Sequence, residues 1–358
     1  MINQAVQTAL IGLAIAFVCF VPYLVYQYRR YGQFSASRAV WSVVLLVYGT
    51  AIVTYTLFPL PSAEWCAVPH DGLLVLDPTV YFRDMFAMHA GGMSWTGVAT
   101  SWTVLQMALN VLLFIPLGVI VRHLWKIGIV QATLLGLALS LLIESTQLTG
   151  NWFTAACAYR VADINDVWTN TLGAFVGALL AMLTPRLAAD AGILEAKRTF
   201  AKPVTRGRRW AGMLIDAVAL GVVWLAVAVV IAVGYYVAVG GTSDRQAAVA
   251  FNGVITTVAD VCCFAVVVVF ALFGSGASLG QRMVYLKPVP TRNHPRVWLL
   301  VRALVVQGVV LALVLWTSSL GLIGFAWLAL AVVWVAFRPR GLSFTITGCE
   351  IADARRLR

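Results

Sequence analysis

Long apolar runs dominate this chain and constrain its fold more than any other feature. Several are long enough to cross the hydrocarbon core of a bilayer as a helix, which takes about 20 residues. Only 11% of the 358 residues are charged, against about 25% in a soluble protein. Because backbone polar groups in lipid must be satisfied within the segment, the sequence predicts an all-α, polytopic integral membrane helix bundle.

The apolar runs predict about nine transmembrane helices. Their approximate ranges are 5–27, 41–60, 103–121, 128–148, 164–183, 210–239, 248–273, 297–317 and 319–337. Alternate connecting segments then fall on one side of the membrane, and with Arg302 they hold all but three of the 25 Lys and Arg residues. The exceptions are Arg83, Arg160 and Arg245.

This charge asymmetry predicts the orientation. Under the positive-inside rule, the N-terminus lies outside and the C-terminus in the cytoplasm of a bacterial plasma membrane. The formal net charge of +11 then orients helices and contacts anionic membrane lipids, so it does not indicate nucleic-acid binding.

A polar stretch divides the chain. It contains two prolines and several basic residues, and we interpret 185–204 as a cytoplasmic linker. The predicted domains are a five-helix membrane domain over 1–184 and a four-helix membrane domain over 205–358.

Polar side chains gather where the fifth predicted helix begins, in the sequence RVADINDVWTNTLGAFVG, residues 160–177. Asp163, Asp166 and Asn170 are spaced i, i+3 and i+7, which places them on one helical face. Gly173 and Gly177 continue that face as a GxxxG motif, which allows another helix backbone to approach closely.

Other polar residues reach the same membrane depth from neighbouring segments. They are Asn110, Glu144, Gln147 and Arg160. Polar groups in lipid turn toward one another, so these seven residues predict a ligand-binding cavity open to the outside. Excess negative charge suits a cation, a proton relay or the hydroxyl groups of a sugar or lipid head. The alternative is structural: ion pairing by Arg160 and helix capping by Asp163.

The cysteines indicate neither a metal site nor a cofactor. No CxxC spacing occurs. Cys66 and Cys157 alone fall in predicted outer loops, where a disulfide between them is allowed. Two unpaired loop cysteines are the alternative.

Buried charges also occur in the second half. Arg209 and Asp216 are seven residues apart and share a helical face. Asp216 lies about 10 Å from the cytoplasmic side and Arg302 about 8 Å, so Arg302 is a candidate partner. Asp260 lies near mid-membrane. Such acids suggest an ion or proton site by default, and an interhelical ion pair or a protonated, hydrogen-bonded Asp is the alternative.

Three segments resemble signature motifs of the VanZ-like family. They are NVLLFIPLG (110–118), LLIESTQL (141–148) and RVADINDVWTNTLGAFVG (160–177). The resemblance covers roughly residues 40–184 and places the family's polar positions on the seven residues of the cluster. The family name implies lowered susceptibility to the glycopeptide teicoplanin.

The second half resembles the RDD family over roughly residues 205–350. RRWAGMLIDAVALG (208–221) and GASLGQRMVYLKPV (276–289) carry the similarity. By this resemblance Arg209 and Asp216 match the family's arginine and first aspartate. Ser343 and Phe344 occupy the positions of its C-terminal His-Asp pair, so the second aspartate is missing.

These patterns favour a cell-envelope membrane protein that binds a cell-envelope precursor, lipid head group or glycopeptide-like ligand at the outer acidic cluster. An ion or small-amphiphile transporter that uses Asp216 and Asp260 is the alternative. An enzyme acting on a lipid-linked substrate is a second one. No nucleophile with an adjacent base is evident, so the sequence predicts no catalytic residues.

Overall fold

Helices make up most of the computed structural model, which describes residues 2–57, 61–68, 73–158, 160–184, 188–239, 245–291, 293–309 and 321–357. The structure is 76% helical, which confirms the prediction of an all-α membrane bundle. Within the described ranges, seven helices are long and apolar enough to cross a membrane. The count of nine and the orientation stay predictions.

The chain forms two compact units. Unit 1 comprises Met1–Val18 and Ser35–Ala191, and unit 2 comprises Cys19–Phe34 and Gly192–Arg358. Residues 19–34 therefore group with the second half, whereas the sequence analysis assigned them to the first.

The first ten helices are α1 (Ile2–Tyr31), α2 (Ala36–Leu57), α3 (Ala63–Cys66), α4 (Val80–Ala90), α5 (Trp95–Ala99), α6 (Trp102–Trp125), α7 (Ile129–Leu148), α8 (Gly150–Phe153), α9 (Ile164–Leu183) and α10 (Ala191–Ala196). The remaining helices are α11 (Arg206–Ala238), α12 (Arg245–Leu272), α13 (Leu279–Met283), α14 (Pro295–Ala303), α15 (Gly321–Phe337) and α16 (Leu342–Thr347). The seven candidate spans lie in α1, α2, α6, α7, α9, α11 and α12.

The last two predicted spans differ from the others. The span at 297–317 begins as α14 and continues as a π-helix over Leu304–Gly308, and most of its remainder lies outside the described residues. The span at 319–337 corresponds to α15, of which the 17 residues Gly321–Phe337 are described.

Two short strand pairs accompany the helices, and sequence periodicity did not predict them. In unit 1, β1 (Leu74–Val75) pairs in parallel with β2 (Ala162–Asp163). In unit 2, β3 (Leu286–Val289) pairs antiparallel with β4 (Glu350–Asp353). The first pair fixes the loop before α4 beside the start of α9.

Small residues bring α6 and α9 into backbone contact at the centre of unit 1. A Cβ added at Gly173 would lie 2.2 Å from the carbonyl oxygen of Val111. One added at Gly177 would lie 2.0 Å from the carbonyl oxygen of Ile115. These are the close approaches that the GxxxG pattern predicts. Because the contacts are to backbone, neither position has room for a side chain.

We expect Gly173→Ala to destabilise unit 1 by about 1–3 kcal/mol, the usual cost of overpacking. The added methyl must separate α6 from α9. Gly49→Ala in α2 is the matched control, since no atom lies within 4 Å of its added Cβ. Thermal unfolding of the purified protein measures both variants, and equal unfolding temperatures would contradict the packing described here.

Candidate functional site

The carboxylate of Asp166 is the meeting point of three segments in unit 1. Its Oδ1 accepts a hydrogen bond from the Tyr81 hydroxyl at 2.6 Å. The same oxygen accepts one from Asn110 Nδ2, also at 2.6 Å. Tyr81 belongs to α4, Asn110 to α6 and Asp166 to the first turn of α9. The structure thus brings together two of the predicted residues and adds Tyr81, which the sequence analysis missed.

Tyr81 joins the short helix α4 to the helix bundle. Its side chain is buried, and its ring lies edge-on to Trp168 at 6.4 Å between centroids. Burial raises the pKa of the Tyr81 hydroxyl, and so do its hydrogen bond to Asp166 and the nearby charges of Asp163 and Glu144. Three carboxylates therefore act on one neutral hydroxyl.

The helix that carries Tyr81 starts later than its N-terminal sequence suggests. Asp77 and Pro78 are typical of an N-cap and first helical position, yet α4 begins at Val80. Asp77 Oδ1 instead accepts hydrogen bonds from the Thr79 backbone N–H at 2.9 Å and from the Thr79 hydroxyl at 2.6 Å. An Asx-type turn before the helix replaces the cap.

Glu144 stabilises the backbone at the entry to α9. It is buried in α7, and its Oε2 accepts a hydrogen bond from the Asp163 backbone N–H at 2.8 Å. Asp163 is the N-cap of α9, and its side chain accepts from the Asn165 N–H at 2.8 Å. The capping interpretation of Asp163 thus describes its local geometry.

Asn165 is a second residue that sequence reasoning missed. Its side chain has no exposed surface. Nδ2 donates to the Asp77 carbonyl oxygen at 2.8 Å and to Asp163 Oδ1 at 2.7 Å. Asn165 lies off the helical face defined by the i, i+3, i+7 spacing, so that pattern did not indicate it. Its partner Asp77 lies in the loop before α4, and helical spacing carries no information about such a contact. Asn165 therefore connects the loop before α4 to the start of α9 by hydrogen bonds.

The remaining predicted residues contact other groups. Gln147 Nε2 donates to the Thr56 carbonyl oxygen at 2.8 Å, and Asn170 Nδ2 donates to Ser140 Oγ at 2.9 Å. Asn170 Oδ1 is buried without a hydrogen-bond partner among the described residues. Arg160 is half-buried. We define the Asp166 cluster as Tyr81, Asn110, Glu144, Asp163 and Asp166.

A disulfide joins two of the loops that border this end of unit 1. Cys66 and Cys157 are bonded, with their Cα atoms 5.5 Å apart. The bond links α3 to the segment that leads into β2. As for metals, the described residues contain no group of three or more His, Cys, Asp or Glu side chains placed to hold an ion.

In unit 2, Asp216 caps a helix. Its Oδ1 accepts from the Gly280 backbone N–H at 2.7 Å, and its Oδ2 accepts from the Ser278 hydroxyl at 2.6 Å. Both oxygens thus bind the N-terminal end of α13. Among the described residues no ion pair joins Asp216 to Arg302, its candidate partner, or to Arg209.

The other charged residues of unit 2 that the sequence places in the membrane also bind neutral groups. Arg209 Nη2 donates to the Arg340 carbonyl oxygen at 3.2 Å, and Arg302 Nη2 donates to the Gly276 carbonyl oxygen at 2.8 Å. Asp260 Oδ1 accepts from Trp224 Nε1 at 3.0 Å. This hydrogen bond links Asp260, near the middle of α12, to α11.

Unit 2 contains a buried ion pair that the sequence did not reveal. Arg208 Nη1 lies 2.8 Å from Asp353 Oδ2, with side-chain exposures of 5% and 0%. Burial alone would raise the pKa of Asp353, but hydrogen bonds from Arg355, the Lys202 backbone and Arg208 outweigh it and hold the pKa well below its usual value. The long sequence separation of Arg208 and Asp353 concealed this pair.

The fold and the Asp166 cluster together define a polytopic membrane protein with an acidic site built across helices. Residues 45–185 match the family model described as VanZ/LLP1, which confirms the VanZ resemblance; the segment carrying the cluster is VanZ-like. No curated protein and no solved structure matches the chain. The family match ends at residue 185, so the RDD resemblance of the second half stays a prediction.

We expect Asp353→Asn to destabilise unit 2 by about 3–5 kcal/mol near neutral pH, because it leaves Arg208 buried without a charged partner. Since the folded pKa of Asp353 is depressed, its contribution is present above the unfolded pKa of about 3.9 and is lost as pH falls toward the folded value. Thermal unfolding across pH should show the two proteins converging in acid. Glu350→Gln, at an exposed position of the same strand, should behave as wild type, and a constant difference at all pH values would contradict this assignment.

Proposed function

We propose that this protein is a VanZ-type plasma-membrane protein that binds a cell-envelope ligand at the Asp166 cluster. The ligand class is a lipid head group, envelope precursor or glycopeptide that presents ammonium or hydroxyl groups. In this proposal the cluster faces outward, the N-terminus lies outside and nine helices cross the membrane. Ligand binding there lowers susceptibility to teicoplanin.

The observation that carries the proposal is the kind of donor that holds the carboxylates. Asp166 accepts from the neutral Tyr81 hydroxyl and the neutral Asn110 amide, and Glu144 accepts from a neutral backbone N–H, that of Asp163. Neutral donors orient a carboxylate without cancelling its charge. An acidic group kept in a membrane bundle is costly, and a ligand cation or several hydroxyl donors would offset that cost.

Aromatic side chains near the cluster support a position at the membrane interface. Phe82 stacks on Trp168 with ring centroids 5.8 Å apart, and Trp95 stacks on His89 at 4.0 Å. Phe86 and Trp95 are more than half exposed. Tryptophan and other amphipathic rings favour the level of the lipid head groups. The cluster would then open where a lipid-linked ligand presents its polar head.

The two alternatives have weaker support. A transporter would need Asp216 and Asp260 free to exchange protons or ions, and the contacts of Asp216 with Ser278 and Gly280 give that residue a capping role. An enzyme would need a nucleophile or an activated water. The Asp166 cluster contains carboxylic acids and a tyrosine but no nucleophile with an adjacent base, so the cluster supports ligand binding better than catalysis.

Replacing Asp166 tests this function. We expect Asp166→Asn to abolish protection against teicoplanin in cells that depend on the protein, because the amide keeps the side-chain volume but removes the charge. Asp84→Asn is the matched control, since Asp84 is exposed on α4 and belongs to the same predicted outer region. The minimal inhibitory concentration is compared at equal membrane levels of each protein. Full protection by Asp166→Asn would refute the site.

A further inference from the structure

Unit 2 contains a cavity of about 260 Å³, separate from the Asp166 cluster. Its walls come from α11, α13, α14, α15, the π-helix and the start of α16. Most of the lining is apolar, and Arg209 and Arg302 contribute two guanidinium groups to it. Each of these arginines is only 5% exposed. Two buried cations therefore share one cavity.

Neither guanidinium has a full set of partners. Each donates Nη2 to one backbone carbonyl oxygen. In the described part of the chain, Nε of Arg209 and Nε of Arg302 are buried without any hydrogen-bond partner. An arginine carries five N–H donors, and a buried unpaired charge is strongly unfavourable. Two N–H donors, the Nε groups of Arg209 and Arg302, therefore have no acceptor among the described residues.

The one carboxylate on the cavity wall, that of Asp216, offsets at most one of the two positive charges. Its oxygens accept hydrogen bonds from Ser278 and Gly280, and among the described residues it forms no salt bridge with either arginine. The group that lies against both arginines is the ring of Phe344, 4.5 Å from Arg209 Cζ and 5.0 Å from Arg302 Cζ. A ring face attracts a cation but does not cancel its charge as an anion does. The three charges leave a net positive cavity.

We propose that this cavity binds the phosphate group of an anionic ligand. Guanidinium groups match the oxygens of phosphate in a forked geometry, and a tetrahedral anion can present separate oxygens to two arginines. A neighbouring cavity of about 200 Å³ shares Arg302 and is lined chiefly by apolar residues such as Val267 and Phe270. Apolar space beside a phosphate site suits an acyl chain. The phosphate group belongs either to the head group of a phospholipid or to free inorganic phosphate, and the experiment below distinguishes these two ligands.

Thermal unfolding of the purified full-length protein in detergent tests the proposal with three additives. These are sodium phosphate, short-chain phosphatidic acid and sodium chloride at matched ionic strength. We expect a higher unfolding temperature with a phosphate compound than with chloride. Stabilisation by phosphatidic acid alone assigns the site to a lipid head group, and stabilisation by phosphate as well assigns it to the free anion too. No effect beyond that of chloride overturns the proposal.

Variants assign the effect to the cavity. Arg302→Gln should weaken the apparent affinity for the stabilising compound about tenfold or more, since a charge-assisted hydrogen bond is lost. Arg296→Gln, six residues earlier and exposed on the same helix, should leave the affinity unchanged. Equal weakening in both variants, or none in Arg302→Gln, contradicts the site.

A third variant keeps the test valid if Arg302→Gln fails to fold. Ser343 lines the same cavity, and Ser343→Glu would supply a carboxylate from within the protein. We expect this variant to unfold at a higher temperature than wild type without additive and to lose the response to phosphate compounds. A variant that keeps the full wild-type response overturns the proposal.

Discussion

The backbone contact between α6 and α9 is the constraint on which unit 1 depends. Helices in lipid gain little from the hydrophobic effect, so close van der Waals packing through small residues holds them together. Gly173 and Gly177 allow that packing against Val111 and Ile115. The same pair of helices carries the polar site: Asn110 directly precedes Val111 in α6, and its partner Asp166 lies about two turns before Gly173 in α9. The packing interface and the polar site therefore lie on the same pair of helices.

Buried charge is handled differently in the two units. In unit 1, neutral donors from α4, α6 and β2 hold the carboxyl groups of Asp166 and Glu144. In unit 2, Arg208 and Asp353 form a buried ion pair, whereas the Nε groups of Arg209 and Arg302 have no hydrogen-bond partner in the part of the chain that the structure describes. A buried charged group that lacks an oppositely charged partner can gain one from a ligand, whereas a paired group already has one. For this reason both proposed ligand sites contain charged groups held by neutral partners.

Sequence reasoning reached the helices and the face of α9, because long apolar runs and an i, i+3, i+7 spacing are local signals. It also reached the close packing at Gly173, since GxxxG encodes a backbone approach. It did not reach Tyr81, Asn165 or the β1–β2 pair, which depend on how a loop folds back over the bundle. The Arg208–Asp353 pair escaped for the same reason: 145 residues separate its members, and no local pattern records such a contact.

Asp166 is held by a hydroxyl group from a separate segment, that of Tyr81, and a double-mutant cycle of Tyr81→Phe and Asp166→Asn measures this contact directly. Unfolding free energies of the wild type, both single variants and the double variant give the coupling energy. A hydrogen bond to a charged group predicts a coupling of about 1 kcal/mol or more. Additive effects, agreeing within about 0.5 kcal/mol, would show that the two side chains do not interact and would contradict the site described here.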